Sequence, residues 1–256
     1  MPYFERLDDR RFRATEEVSG AWDVRHQHIA PALGLMLHCV ERDRDGRRTD
    51  GLRVGRLSCD ILGTVPVDEV EIDVRVLRPG RTIELVEALL SHAGRGVVVL
   101  RAWLLQAGDT GELAGTPLPP LRPPAELGPW DPTTVWPGGF IASVEVRREQ
   151  EEPGRARFWV RSRTTLLDGE PVSDLARFAA LLDIANGMTV RVAPTEVAFP
   201  NIDLTAHLFE QPQGEWVGFD TSVSFGAHGL GLTSSVLHDE RGPVGAMAQS
   251  LTLRPV

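Results

Sequence analysis

Residues 70–80 read VEIDVRVLRPG, and this run decides the kind of fold. Val70, Ile72, Val74 and Val76 alternate with Glu71, Asp73 and Arg75, the period-two pattern of a half-buried strand. Arg78-Pro79-Gly80-Arg81 supplies turn chemistry directly after it. On the C-terminal side, Thr82 to Ser91 and Val97 to Gln106 read as two more strands, reversed by a short turn at His92 to Gly96. On the N-terminal side, Leu52 to Leu62 is a further strand. Before it, His28 to Arg42 reads as a helix, with Ile29, Leu33, Leu37 and Val40 at helical spacing and Met36 beside them. Pro31 suits the first helical turn, where its missing N–H costs nothing. A short strand around Phe12 to Val18 precedes the helix.

The plan then repeats. Prolines at 117, 119, 120, 123, 124, 129, 132 and 137 leave few backbone donors for a sheet, so this stretch reads as an extended linker. Beyond it, Phe140 to Arg148 and Arg155 to Arg163 form a hairpin. Asp174 caps a second helix whose apolar stripe is Leu175, Phe178 and Leu182 and whose end is Gly187. Strands near Glu196 to Glu210, Trp216 to Phe225, Leu230 to His238 and Val244 to Leu253 complete the half.

One helix per five or six antiparallel strands is an α+β arrangement, in which the helix buries its stripe against one sheet face. A long sheet wrapped around one central helix is the hot-dog architecture. The expectation is therefore a double hot-dog: two curved antiparallel sheets, each around one long helix, packed side by side with the sheets continuing across the seam. Residues 1–107 make the first unit, 108–138 a Pro/Gly-rich linker and 139–256 the second unit. The competing reading is a β-sandwich with incidental helices.

Composition narrows the function. The net charge of -9 and the scattered arginines argue against nucleic acid as a partner. Cys39 and Cys59 have no metal-ligand spacing and read as small hydrophobes in a reducing compartment. The charged N-terminal stretch has no apolar run, and no window approaches the length of a membrane span, so the expected location is the cytoplasm. No metal or cofactor is expected.

Several motifs, taken in order, carry a resemblance. They are Leu77-Arg78-Pro79-Gly80, Asn201-Ile202-Asp203-Leu204-Thr205, Asp239-Glu240-Arg241-Gly242-Pro243 and Ala248-Gln249-Ser250. Over nearly its whole length the chain resembles the thioesterase-like superfamily related to the medium-chain acyl-CoA thioesterase II family. The resemblance implies hydrolysis of an acyl thioester, from coenzyme A or another carrier, with no covalent nucleophile. An Asp, a Ser or Thr, and a Gln together hold one water. Position by position these fall on Asp183, Asn201 and Gln249, the Asn201 amide standing where the family has a hydroxyl. The resemblance also implies a Gly-rich approach to the first helix whose N–H groups polarise the thioester oxygen. Here that stretch is His26-Gln27-His28, without glycine, and these three are the candidate substrate-binding residues.

The residues can be weighed without the resemblance. A carboxylate with a free pKa near 3.9 is a weak base until burial raises it, and Asp183 lies on the flank of the second helix's apolar stripe. Gln249 shares a strand face with Met247, Leu251 and Leu253. An amide on that row needs partners, because leaving it unpaired costs about 1–3 kcal/mol. Asn201 shares parity with Asp203, Thr205 and His207, which leaves its direction open, the more so because Pro200 can bend the strand. Two other functions remain: a non-catalytic acyl-thioester binder, and an enoyl-CoA hydratase or dehydratase using Asp23 and His28 as its acid–base pair. No nucleophile elbow and no phosphate loop is present. A homodimer is compatible with the architecture, since open sheet edges seek partners.

Overall fold

The computed structural model describes residues 1–256. Six strands come first: β1 (Phe4–Arg6), β2 (Arg11–Ala14), β3 (Arg53–Ile61), β4 (Glu69–Arg78), β5 (Ile83–His92) and β6 (Arg95–Leu105). Nine follow: β7 (Pro129–Trp130), β8 (Val144–Glu152), β9 (Arg155–Ser162), β10 (Val197–Ala198), β11 (Asp203–Leu208), β12 (Val217–Phe225), β13 (Leu230–Asp239), β14 (Gly242–Thr252) and β15 (Arg254–Pro255). The helices are α1 (Ile29–Arg47), α2 (Gly139–Ser143), α3 (Asp174–Ala179) and α4 (Ala185–Met188).

The strands β3 to β6 are present with small shifts at their ends, and β4 alternates as expected, with Val70 and Ile72 buried. The short strand expected over Phe12 to Val18 stops at Ala14, and Glu16–Val18 tighten into a 3-10 turn that Thr15 caps. The first helix runs five residues past Arg42, to Arg47. Its last turn is held by Glu84, a buried β5 carboxylate that accepts from Arg47 at 2.8 Å and Arg48 at 3.0 Å. These guanidinium groups keep Glu84 ionised, with its pKa lowered against the opposing effect of burial.

Two expectations are corrected. The two sheets expected to continue across the seam are in fact a single one. Thirteen strands form one sheet in the order β1-β2-β4-β5-β6-β3-β11-β14-β13-β12-β9-β8-β7, and only β10 and β15 pair apart from it. The joint is the antiparallel pair β3–β11, from Asp203 opposite Asp60 to His207 opposite Arg56. Each of these strands has its own half on one side and an otherwise open edge on the other, and pairing removes both edges at once. Most of the buried apolar side chains likewise fall in one cluster that includes Leu57 and Leu100 as well as Phe158 and Phe219.

The second long helix is not there. Its cap is Ser173, whose hydroxyl accepts from the Ala176 N–H at 3.0 Å, so that Asp174 is the first helical residue. α3 then stops at Ala179, the chain tightens into a 3-10 turn at Leu182–Ile184, and α4 adds one more short turn. The tighter turn changes the angle at which each side chain leaves the axis, and Asp183, expected on the flank of a regular stripe, is buried. α3 lies against α1 at the closest approach in this region. A Cβ placed on Gly34 would sit 2.5 Å from the Ala180 Cβ and 2.7 Å from the Ala176 carbonyl oxygen. The hairpin expected from Phe140 starts only at Val144, because residues 139–143 form α2. No helix is long and apolar enough to cross a membrane.

Candidate active site

The start of α1 is pinned from both sides. The His28 N–H donates to the Val18 carbonyl at 2.8 Å, the Gln27 N–H to Val65 at 2.7 Å, and the Gly20 N–H to His26 at 2.7 Å. The approach is so close that a Cβ on Gly20 would lie 2.7 Å from the His28 nitrogen, so glycine is required there. Gln27 also donates its amide to the Pro66 carbonyl at 2.8 Å. His28 is the N-cap, its Nδ1 accepting from the Ala30 N–H at 3.2 Å, and its ring packs on Phe140 with centroids 4.4 Å apart.

Asp183 comes to this helix end from the other half of the chain. Its Oδ1 accepts from Asn201 Nδ2 at 2.6 Å and from Gln249 Nε2 at 3.0 Å. Its Oδ2 has no donor, and His28 Nδ1 is 3.9 Å away. The three residues predicted as a catalytic set are therefore in direct contact, with both amides converging on one carboxylate oxygen. Burial pushes the Asp183 pKa up to about 7, against the lowering effect of the two amide donors. Burial also pulls His28 down to about 3, so the ring is neutral. Cys59, on β3, feels the Asp183 charge as well; burial first and that charge second hold its thiol well above the ordinary range.

A break in strand register aims Asn201 inward. Asn201 forms an isolated bridge to Leu251, Ile202 is 51% exposed, and Leu204 is buried. Strict alternation would have placed Ile202 and Leu204 on the same face. Between them Asp203 takes the Ser250 N–H on its side-chain Oδ1 at 2.6 Å, and Asn201 Nδ2 gives a second bond to the Asp203 carbonyl at 3.2 Å. Gln249 is buried as its strand row required, but its Oε1 has no partner.

A cavity of about 580 Å³ opens beside these groups. Asp183, Asn201, His26, Gln27 and His28 all line it, whereas Gln249 stands behind Asp183 and off the wall. Sequence reasoning missed two other parts of the wall. Neither Trp22 nor Trp136, which is itself buried in the core cluster, was expected at the cavity. In the structure Trp22 meets Trp136 edge-on at 4.8 Å, and Trp136 donates its indole N–H to the Gly187 carbonyl at 2.8 Å. The Pro/Gly composition around Trp136 is a linker signal and gives no hint of the cavity.

The hydratase-like pair is not assembled. Asp23 and His28 share the cavity wall, but Asp23 binds Arg25 at 2.5 Å, and this guanidinium holds its carboxyl well below the usual range. No group of three His, Cys, Asp or Glu side chains is arranged to hold a metal.

The family model described as the acyl-CoA thioesterase N-terminal domain matches residues 18–106, and the one for the acyl-CoA thioesterase C-terminal domain matches residues 117–253. The chain belongs to the acyl-CoA thioesterase family. Among solved structures this thioesterase-family chain resembles the acyl-CoA thioesterase II TesB2 from Mycobacterium marinum, at 18% identity and a TM-score of 0.70, covering 99% of this chain and 96% of that one. It also resembles a conserved protein of unknown function with a hot-dog fold from Alicyclobacillus acidocaldarius, at 15% identity and a TM-score of 0.76, covering 97% and 95%. A third is the tesB protein of Mycobacterium avium subs paratuberculosis, at 17% identity and a TM-score of 0.66, covering 98% and 96%. At such identities the likeness establishes the hot-dog fold. A search of curated proteins found no match.

Proposed function

We propose that this thioesterase-family protein hydrolyses an acyl-CoA thioester with a water held by Asp183 and Asn201, and that Gln249 fixes the carboxylate from behind. The observation that carries this reading is the asymmetry of Asp183. Both amides bond Oδ1, which leaves Oδ2 free beside the cavity, on a carboxyl group whose pKa of about 7 suits a general base at neutral pH. Asn201 spends its Nδ2 on Asp183 and Asp203, and its own Oδ1 remains free to accept. A water that donates one hydrogen to Asp183 Oδ2 and the other to Asn201 Oδ1 keeps a lone pair for attack. On this account an amide does the work for which the family uses a hydroxyl.

In the proposed step the water oxygen bonds the carbonyl carbon, the carbonyl π pair moves to oxygen, and the water proton passes to Asp183. The tetrahedral intermediate then expels sulfur. The C–S bond breaks, the sulfur takes the proton from Asp183, and a carboxylic acid and free coenzyme A leave. The roles of residues 26–28 in binding the thioester, and the division into units 1–107 and 139–256 joined by 108–138, belong to the same proposal.

The test is thiol release from a panel of acyl-CoAs, followed with a chromogenic thiol reagent. Release by the wild type that falls about 10²-fold or more in Asp183→Asn, the range lost with a positioned base, supports the reading. No release by the folded wild type across the panel refutes it.

A further inference from the structure

We infer that His28 is a catalytic residue whose Nε2–H hydrogen-bonds the carbonyl oxygen of the bound thioester and stabilises the oxyanion that forms there. The inference rests on the thioester reading of the same cavity. It begins with the tautomer. Nδ1 accepts from the Ala30 N–H, so its lone pair is engaged and the single proton of the neutral ring lies on Nε2. Nε2 has no hydrogen-bond partner in the protein, and it is not among the atoms sealed from solvent without one; the ring lines the cavity. A neutral imidazole so arranged cannot act as a base at Nδ1, and its depressed pKa keeps it from becoming an imidazolium. What remains is a neutral donor.

The ring is also held in place. Phe140 packs on one face, the Ala30 N–H fixes the nitrogen edge, and the His28 backbone is pressed against Gly20. Donors fixed before the reaction are the kind that stabilise developing charge without reorganising. The placement relative to the attacking water is set by Asp183, whose Oδ2 is 3.9 Å from Nδ1 of the same ring, with Nε2 on the ring's other edge. A carbonyl carbon attacked by a water on Oδ2 brings its oxygen to the imidazole. Beside it, the Ile29 N–H makes no backbone hydrogen bond and is a second donor at the positive end of a 19-residue helix. Hydrolysis then draws its base from the second half of the chain and its oxyanion donors from the first.

The experiment pairs kinetics with a spectrum. His28→Asn keeps an acceptor for the Ala30 N–H, since asparagine caps helices well, but removes the donor at Nε2. We expect kcat to fall about 10²-fold while KM moves less than about threefold, as when one oxyanion donor is lost. The melting temperature should stay within about 2 °C of the wild type, because the cap is preserved. His28→Gln, which can present an N–H near the Nε2 position, should recover part of the loss. In parallel, an acyl-CoA carrying 13C at the carbonyl is bound to the Asp183→Asn protein, and its carbonyl stretch is read by isotope-edited infrared. The band should lie below that of the free thioester and return toward it when His28→Asn is added. A band that does not respond to His28→Asn overturns the inference whatever the turnover, and so does a kcat within about threefold of wild type in the folded variant. If the wild type releases no thiol but the band still moves with His28, the hydrolase reading fails and the hydrogen bond to the thioester stands.

Discussion

Replacing Asp183 with asparagine should stabilise this protein at alkaline pH while abolishing its proposed activity. Asn201 and Gln249 both donate to Oδ1, so an asparagine can put its carbonyl oxygen there and keep both bonds. Its amide then occupies the position of Oδ2, facing His28 Nδ1 at 3.9 Å. What changes is the charge. Burial raises the Asp183 pKa to about 7 in the folded state, against about 3.9 in an unfolded chain. The folded state therefore binds the extra proton between pH 4 and pH 7. The stability this group contributes is fully present below about pH 4, declines as pH rises, and is gone above about pH 7. Three units at about 1.4 kcal/mol each amount to about 4 kcal/mol. The asparagine has no proton to lose, so the variant should exceed wild type by about 4 kcal/mol at pH 8 and by only about a third of that at pH 5. At about 2–4 °C per kcal/mol for a chain of this size, the gap in melting temperature should widen from about 4 °C at pH 5 to about 10 °C at pH 8. Thermal melts of both proteins across this range are the assay. Melting curves that run parallel from pH 5 to pH 8 would refute the reasoning, because they would mean that Asp183 does not change its protonation on folding.

The same carboxyl group sets the pH profile of the proposed reaction. kcat/KM should rise with pH around an apparent pKa of about 7, with His28 remaining neutral and Cys59 remaining protonated throughout; a flat profile from pH 5 to pH 9 would exclude Asp183 as the base. Asn201→Ala removes a donor that favours the ionised form. The rising limb should move to higher pH, with a lower rate at pH 7, and a limb that stays put or moves to lower pH would contradict this. Gly34→Ala drives a methyl group against Ala180 and the Ala176 carbonyl. It should destabilise the protein by about 1–3 kcal/mol in denaturant unfolding, the usual cost of overpacking a tight contact.

What could be read from the sequence follows what is local in it. The alternation in β4 and the helical spacing in α1 depend on neighbours a few residues apart, and both elements form where the pattern puts them. Gln249 was legible for the same reason, as a polar residue on an apolar strand row. That the sheet continues across the seam followed from the architecture, but which strands join did not, because β3 and β11 pair residues 143 to 151 positions apart and no pattern within either strand specifies its partner. The break after Ala179 contains no proline or glycine, so nothing in the sequence separates a regular helix from one that tightens to turn Asp183 inward. The direction of Asn201 was hidden by the register break at Ile202, beside which Asp203 takes the Ser250 N–H on its side chain. The fold was thus readable from periodicity, and the geometry of the candidate site comes from the two places where periodicity fails.

The joint between β3 and β11 also has a consequence for synthesis of the chain. β3 can pair with β6 as soon as both have left the ribosome, but its other edge has no partner until β11 is made, about 140 residues later. At about 5–20 residues per second the nascent chain carries an open nine-residue edge for roughly 7–30 s. Such an edge invites pairing with other chains, and charged side chains are a usual defence. Arg53, Arg56 and Asp60 lie along this strand, and none of the three is in an ion pair in the finished protein. Charges so placed are of the kind that discourage such pairing during the seconds when the strand has no neighbour.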